Sequence, residues 1–235
     1  MKKRAVFLIL IFICAIPFIS AAPVDELHII YIGNSGITYQ QMHRTVEKIS
    51  FRNGFGGPRM VAHPLCRGGS SFGWHLGNID AIKRLVGEKN CTAAVVSGSM
   101  TFIEDDARRL FTELQNIGLD VYFFQQAESR SQSREVQLSS DRKYRKLAGE
   151  LGFKIVPLGT AVWDILTDVD PGYDFFAHDG SHASKKSAYL GACMIVSMLS
   201  GKPPAPPEPD YDFTFSGMSS AEEIYLRQTA IEYTF

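Results

Sequence analysis

Ser35 stands in the segment Ile32-Gly33-Asn34-Ser35-Gly36, directly after a short apolar run. A serine there projects from the end of a strand. If a helix follows, its oxygen lies near free backbone N–H groups that stabilise negative charge. Serine is a weak nucleophile unless a base takes its proton. Such a base is offered far downstream, in His178-Asp179-Gly180-Ser181-His182. A carboxylate three residues before a histidine, with a glycine between them, can turn onto the imidazole, fix its tautomer and stabilise the imidazolium. Ser35, His182 and Asp179 thus have the residue types of nucleophile, base and orienting acid. Plainer roles are open to the same residues: Ser35 as the cap of a strand-to-helix turn, Asp179 as the cap of a helix starting near Ala183. A metal site on His178, Asp179 and His182 is a further alternative. No other carboxylate or histidine has matching ligand spacing, so the expectation is no metal and no cofactor.

Residues this far apart need a scaffold that brings them together. Strand-like runs occupy residues 27–32, 59–63 (ended by Pro64), 92–96, 121–124 and 154–158. Between them, apolar residues recur at helical spacing: Met42, Val46 and Ile49; Ile79, Ile82 and Val86; Ala107, Leu110, Phe111, Leu114 and Ile117; Tyr144, Leu147, Ala148 and Leu151. Short and long helices are expected over 161–166 and 183–199, the second stopped by Gly201 and Pro203-Pro204. Strands alternating with helices predict an α/β fold, a three-layer α/β/α sandwich on a parallel sheet of about five strands. Active sites in such sheets lie at the carboxyl ends of the strands. The places to look for chemistry therefore follow Ile32, His63, Val96, Phe124 and Leu158. Residues 202–210 form a proline-rich strap, and Ser220-Ala221-Glu222-Glu223 has capping-box form before a last helix.

Gly33-Asn34-Ser35 after the first strand, paired with Asp179-Gly180-Ser181-His182, resembles the SGNH (GDSL-type) hydrolase superfamily, in its branch with a GNS first block. The stretch from Asp179 through Ala188-Tyr189-Leu190-Gly191-Ala192-Cys193 to Gly201-Lys202 is similar to that branch's final block and helix. The resemblance spans residues 27–202. It implies a flavodoxin-like fold, metal-free ester hydrolysis, and catalytic roles for Ser35, His182 and Asp179. It also implies an oxyanion hole made by the Ser35 N–H and a glycine after the second strand, here Gly68 or Gly69 in Cys66-Arg67-Gly68-Gly69-Ser70-Ser71. The family's third block supplies an asparagine after the third strand. This chain reads Val96-Ser97-Gly98-Ser99-Met100 instead, with no asparagine. Ser97 is the expected weaker donor, with Gln125 as the alternative. Asn34 and Gln125, the latter after the fourth strand, are the expected substrate-binding residues; Gln126 and Glu128 follow as residues that could line the site.

Composition agrees with a globular domain. The chain has 235 residues, 45% hydrophobic and 21% charged, with a formal net charge of -1. No basic stripe interleaved with aromatics is present, so nucleic acid is not an expected partner. Residues 1–22 read as a signal peptide: Met1-Lys2-Lys3-Arg4 is basic, a run of apolar residues follows, and Ser20, Ala21 and Ala22 are small. Pro23 disfavours a cut directly after Ala22. The apolar run is shorter than the roughly 20 residues of a spanning helix. Stable membrane insertion is not expected once the leader is removed, an uncleaved anchor being the alternative. Residues 23–235 are expected to form one domain, secreted or in the cell envelope. Cys66, Cys91 and Cys193 then remain, enough for one disulfide. The expected activity is cleavage of an ester, such as an O-acetyl group on a carbohydrate. The rival is a non-catalytic glycan- or lipid-binding protein on the same fold.

Overall fold

The computed structural model describes residues 25–52, 54–98, 104–207 and 217–235. The leader, Ser99 and Met100 of the third block, and residues 208–210 of the strap lie outside them.

Five parallel strands form the sheet: β1 (Glu26–Gly33), β2 (Arg59–Cys66), β3 (Ala93–Val96), β4 (Asp120–Phe124) and β5 (Lys154–Val156). Their order is β2-β1-β3-β4-β5. The order reverses at β1, and that switch point is where doubly wound sheets place their sites. Residues alternate between the two faces with a period of two. Ile29 and Tyr31 of β1, Val95 of β3 and Phe124 of β4 join one apolar cluster. Ile30 and Ile32, Val96 and Phe123 join the other. A sheet buried on both faces by helices is the three-layer α/β/α sandwich that alternation in the sequence predicts.

The first face is covered chiefly by α2 (Met42–Ser50), α7 (Leu158–Asp164) and α8 (Lys185–Ser200), and α8 is backed by α9 (Ser220–Thr234). The second face is covered by α4 (Ile79–Lys89), α5 (Glu104–Asn116) and α6 (Arg134–Leu151). Two short helices, α1 (Ser35–Thr38) and α3 (Phe72–Leu76), follow β1 and β2 at the carboxyl edge of the sheet.

Three local expectations are corrected. Pro64 does not end β2, which continues to Cys66. The Arg67 N–H donates to Gly33 O, so by alternation Pro64 directs its missing N–H away from β1, to the open side of an edge strand where no ladder bond is lost. β5 stops at Val156, and Leu158 already belongs to α7. The cap of α9 is Ser219 rather than Ser220, in a box with Glu222. Glu223 is instead buried, 3.3 Å from the Arg52 guanidinium. Cys66, Cys91 and Cys193 are all free thiols, and burial pushes Cys66 and Cys193 up to about 12.

Candidate active site

β1 ends against the turn that carries Ser35. Asn34 caps α1: its Oδ1 accepts from the Gly36 N–H at 2.9 Å. Ser35 is thereby the first residue of a helical turn, where backbone N–H groups lack helical partners.

The second component lies in the loop between α7 and α8. Phe176 and Ala183 form an isolated bridge, and the Ala177 N–H donates to His182 O at 2.8 Å. The chain between them reverses tightly, with Gly180 at φ 68°. A side chain at that φ would be strained, so the glycine between Asp179 and His182 serves the reversal. The Asp179 carboxylate fills the turn: Oδ1 accepts from the N–H groups of Ser181 and His182, each at 2.9 Å. Its other oxygen lies 2.6 Å from His182 Nδ1, and His182 Nε2 lies 2.9 Å from Ser35 Oγ. These contacts, first the two with His182 and then the Ser181 N–H, hold the Asp179 carboxyl well below the usual carboxylate range. The expected cap of α8 is corrected: Ser184, not Asp179, accepts from the Ser187 N–H. The Tyr39 ring, at the end of α1, stacks on the His182 ring with centroids 4.3 Å apart. Both imidazole nitrogens and one face are therefore fixed by neighbours.

The opposite flank of Ser35 collects pieces from several strand ends. Gly68 and Gly69 form an exposed turn after β2, anchored to the end of β1. Arg67 N–H and Ser70 Oγ each donate to Gly33 O at 2.9 Å, and His75 Nε2 lies 3.0 Å from Ser70 Oγ. Burial lowers the His75 imidazole to about 4, so it serves as a neutral clamp. Neither glycine N–H has a backbone partner among the described residues. Ser97 continues β3, its N–H donating to Ile32 O at 2.8 Å. It is almost wholly buried, and its hydroxyl is contacted by Gln126 Nε2.

Gln125 and Gln126 follow β4 and point opposite ways. Gln125 does not reach the site, contrary to the expectation of substrate binding. It is fully buried, with Nε2 donating to Asp141 Oδ1 at 2.9 Å and Oε1 accepting from Thr160 at 3.2 Å. Gln126 is the residue that touches the turn carrying Ser35: its Nε2 donates to Asn34 Oδ1 at 3.0 Å as well as contacting Ser97. Its carboxamide lies so close over Gly36 that a Cβ there would collide with it. Asn34 is accordingly placed as a cap and as an acceptor for Gln126. Gln126 and Tyr39 are the residues that sequence reasoning left undervalued. Only the period-two alternation after β4 could have separated Gln126 from its neighbour.

His178 stands outside the Ser35–His182–Asp179 chain and lines a neighbouring cleft. Among the described residues, no three His, Cys, Asp or Glu side chains are grouped as metal ligands. No helix there is long and apolar enough to cross a membrane.

No family model matches the chain, and no curated protein matches it. Solved structures do. A DUF4886 family protein from Bacteroides uniformis is similar over 88% of this chain and 94% of its own, with TM-score 0.66 and 18% identity. The acetyl xylan esterase AlAXEase is similar over 70% of this chain and 96% of its own, with TM-score 0.54 and 13% identity. TesA is similar over 70% and 93%, with TM-score 0.51 and 12% identity. At these identities the likeness establishes the fold, a three-layer α/β/α sandwich shared with esterases.

Proposed function

We propose that the chain is an exported serine hydrolase that cleaves an ester, with an acyl group on a carbohydrate as its substrate class. The observation that carries this reading is the unbroken relay from Ser35 Oγ to His182 Nε2 at 2.9 Å and from His182 Nδ1 to Asp179 at 2.6 Å. In the reaction, Ser35 Oγ attacks the acyl carbon while His182 Nε2 takes its proton. The carbonyl oxygen becomes an oxyanion, received by the Ser35 N–H and the N–H of Gly68 or Gly69. His182 then gives the proton to the leaving alcohol, and the acyl group stays on Ser35. Water, deprotonated by the same imidazole, releases the acid. Asp179 stays ionised throughout and holds the imidazole in the tautomer with the proton on Nδ1.

The saccharide substrate is supported by the likeness of the fold to an acetyl xylan esterase, and export by the signal-peptide form of residues 1–22. The absent asparagine after β3 supports the other reading, a glycan-binding protein without turnover. One experiment separates them: hydrolysis of 4-nitrophenyl acetate and of acetylated xylo-oligosaccharide by the mature protein beside Ser35→Ala. Turnover in the parent alone, with a phosphonate probe labelling Ser35, is expected. A folded parent that neither turns over nor takes the label would leave the binding protein.

A further inference from the structure

Two clefts open beside the Ser35–His182–Asp179 relay, of about 540 and 340 Å³. They share Gln40 and Lys185. Tyr39, whose ring lies on His182, walls the smaller. Gly180, from the turn between Asp179 and His182, and Arg130 wall the larger. The Arg130 N–H donates to Gly180 O at 2.8 Å, which ties that arginine's backbone to the catalytic turn.

The linings are strongly one-sided in charge. Arg44 and Lys48 line the smaller cleft, Arg130 and Lys186 the larger, and Lys185 both. Asp174 is the one carboxylate in either lining. The whole chain carries 24 basic and 25 acidic residues, so a general excess of cations does not explain this. Elsewhere on the scaffold, several cations are matched: Arg52 holds Glu223, Arg108 holds Glu104 and Glu150, Arg134 holds Asp164 and Asp168, and Arg145 holds Asp141, while Arg59 and Arg67 lie over aromatic rings and Arg227 donates to Pro204 O. In the clefts, Lys186 is matched by Glu222 at 2.7 Å. Among the described residues, no carboxylate lies within 4.0 Å of Arg44, Arg130 or Lys185. Unmatched like charges around a concave surface repel one another and focus a field on whatever enters it.

We propose that these clefts receive an anionic saccharide, with Arg130 and Lys185 in the larger cleft binding the carboxylate of a uronic acid unit next to the acylated one, and Arg44 and Lys185 offering the same charge in the smaller. This rests on the reading of Ser35 as an esterase nucleophile and specifies its substrate. Guanidinium groups match carboxylates in two-point geometry, and an ammonium adds a point charge. Gln40 and Gln41 offer hydrogen-bonding groups to sugar hydroxyls, and the exposed Tyr39 offers an aromatic ring to a sugar.

The test separates binding from hydrolysis. Calorimetry on Ser35→Ala measures binding of unacetylated oligogalacturonate against a neutral xylo-oligosaccharide of equal length. At least about tenfold tighter binding of the acidic chain is expected, falling towards parity in roughly 0.5 M salt, where exposed charges are screened. The same preference, read as the ratio of kcat/KM for acetylated acidic over acetylated neutral chains, is expected to fall about tenfold in Arg130→Ala/Lys185→Ala, with melting confirming the fold. Equal or absent binding of the acidic chain overturns the proposal, as does a preference that survives the double variant. A parent that hydrolyses no ester while Ser35→Ala still prefers the acidic chain overturns the esterase reading and keeps the anionic site.

Discussion

The two flanks of Ser35 are built on different plans. On one, four consecutive residues, Asp179 to His182, fold into a turn in which the carboxylate accepts both backbone N–H groups it encloses and still reaches the imidazole. On the other, Gly68 and Gly69 follow β2, Ser97 follows β3 and Gln126 follows β4. The sheet order places those strand ends beside β1 or one strand beyond. In the proposed reaction, the flank that handles the proton is thus specified by a local turn, and the flank that receives the oxyanion by topology. A local turn tolerates little change in any of its members. An assembly from several strand ends spreads the task over groups that each contribute less.

The largest effects should therefore fall on the local flank. His182→Ala is expected to cut kcat on an aryl acetate by about 10⁴ or more, with little change in melting because the side chain is a third exposed. Asp179→Asn tests the relay more finely. Its amide oxygen can still accept the Ser181 and His182 N–H groups, so the turn persists. The amide nitrogen, however, faces His182 Nδ1 as a donor and imposes the wrong tautomer. A loss of about 10²–10⁴ in kcat is expected. If this change cost no more than the Gln126 change considered below, the contrast between the flanks would be broken.

The same substitution has a signature in stability against pH. The folded Asp179 carboxyl titrates well below its unfolded value of about 3.9. A depressed carboxyl stabilises the fold above the unfolded value, and that contribution is lost as pH falls towards the folded one. The parent should therefore lose melting temperature faster than Asp179→Asn as pH drops below about 4. Parallel curves would mean that the turn does not depend on the ionised carboxylate.

The adjacent glutamines sharpen the contrast next. Gln126→Ala removes the group that ties Asn34 of the nucleophile turn to Ser97. A tenfold to hundredfold fall in kcat, on the order of what small misplacements cost, is expected with little change in melting. Gly36→Ala should reproduce it with Gln126 still present, because the new Cβ would push aside the flexible end of that side chain. Gln125→Ala should do the reverse. It leaves the buried Asp141 carboxylate and the half-buried Thr160 hydroxyl short of a partner, a cost of about 1–3 kcal/mol in stability. If Gln125→Ala proved the more damaging to turnover, the assignment of Gln126 to the nucleophile turn would be wrong.

This pair also shows what the sequence disclosed and why it stopped. The alternation of apolar runs gave the three-layer sandwich and the five strands, because strand and helix periods are local properties of the chain. Pro64 misled at β2 because its harmlessness depends on the strand being an edge, which is a fact of sheet order. Ser219 and Ser220 each precede a glutamate by three residues, and burial of Glu223 against Arg52 decides which serine caps α9. Asp179 and His182 could be singled out from spacing alone. Gln125 and Gln126 have the same type and adjacent places, and only the direction of the chain leaving β4 tells them apart. The cations of the clefts were equally hidden, since Arg44, Arg130 and Lys185 come to line neighbouring clefts only after α2, the β4 loop and α8 are packed.

The smallest effect belongs to Tyr39, which stands on the local flank in space but comes from the nucleophile turn in sequence. Its ring covers one face of His182 with the planes 16° apart. The stack limits rotation of the imidazole about the axis that Asp179 holds, so it adds to orientation rather than to proton transfer. Aromatic pairs contribute about 0.5–1.5 kcal/mol beyond area, which corresponds to about twofold to tenfold in rate if all of it serves orientation. Tyr39→Ala should lower kcat within that range, and Tyr39→Phe, which keeps the stack, should stay within about twofold of the parent. Equal losses in both variants would assign the effect to the hydroxyl. It would then count Tyr39 among the groups that meet the substrate, and the local flank would be complete with Asp179 and His182 alone.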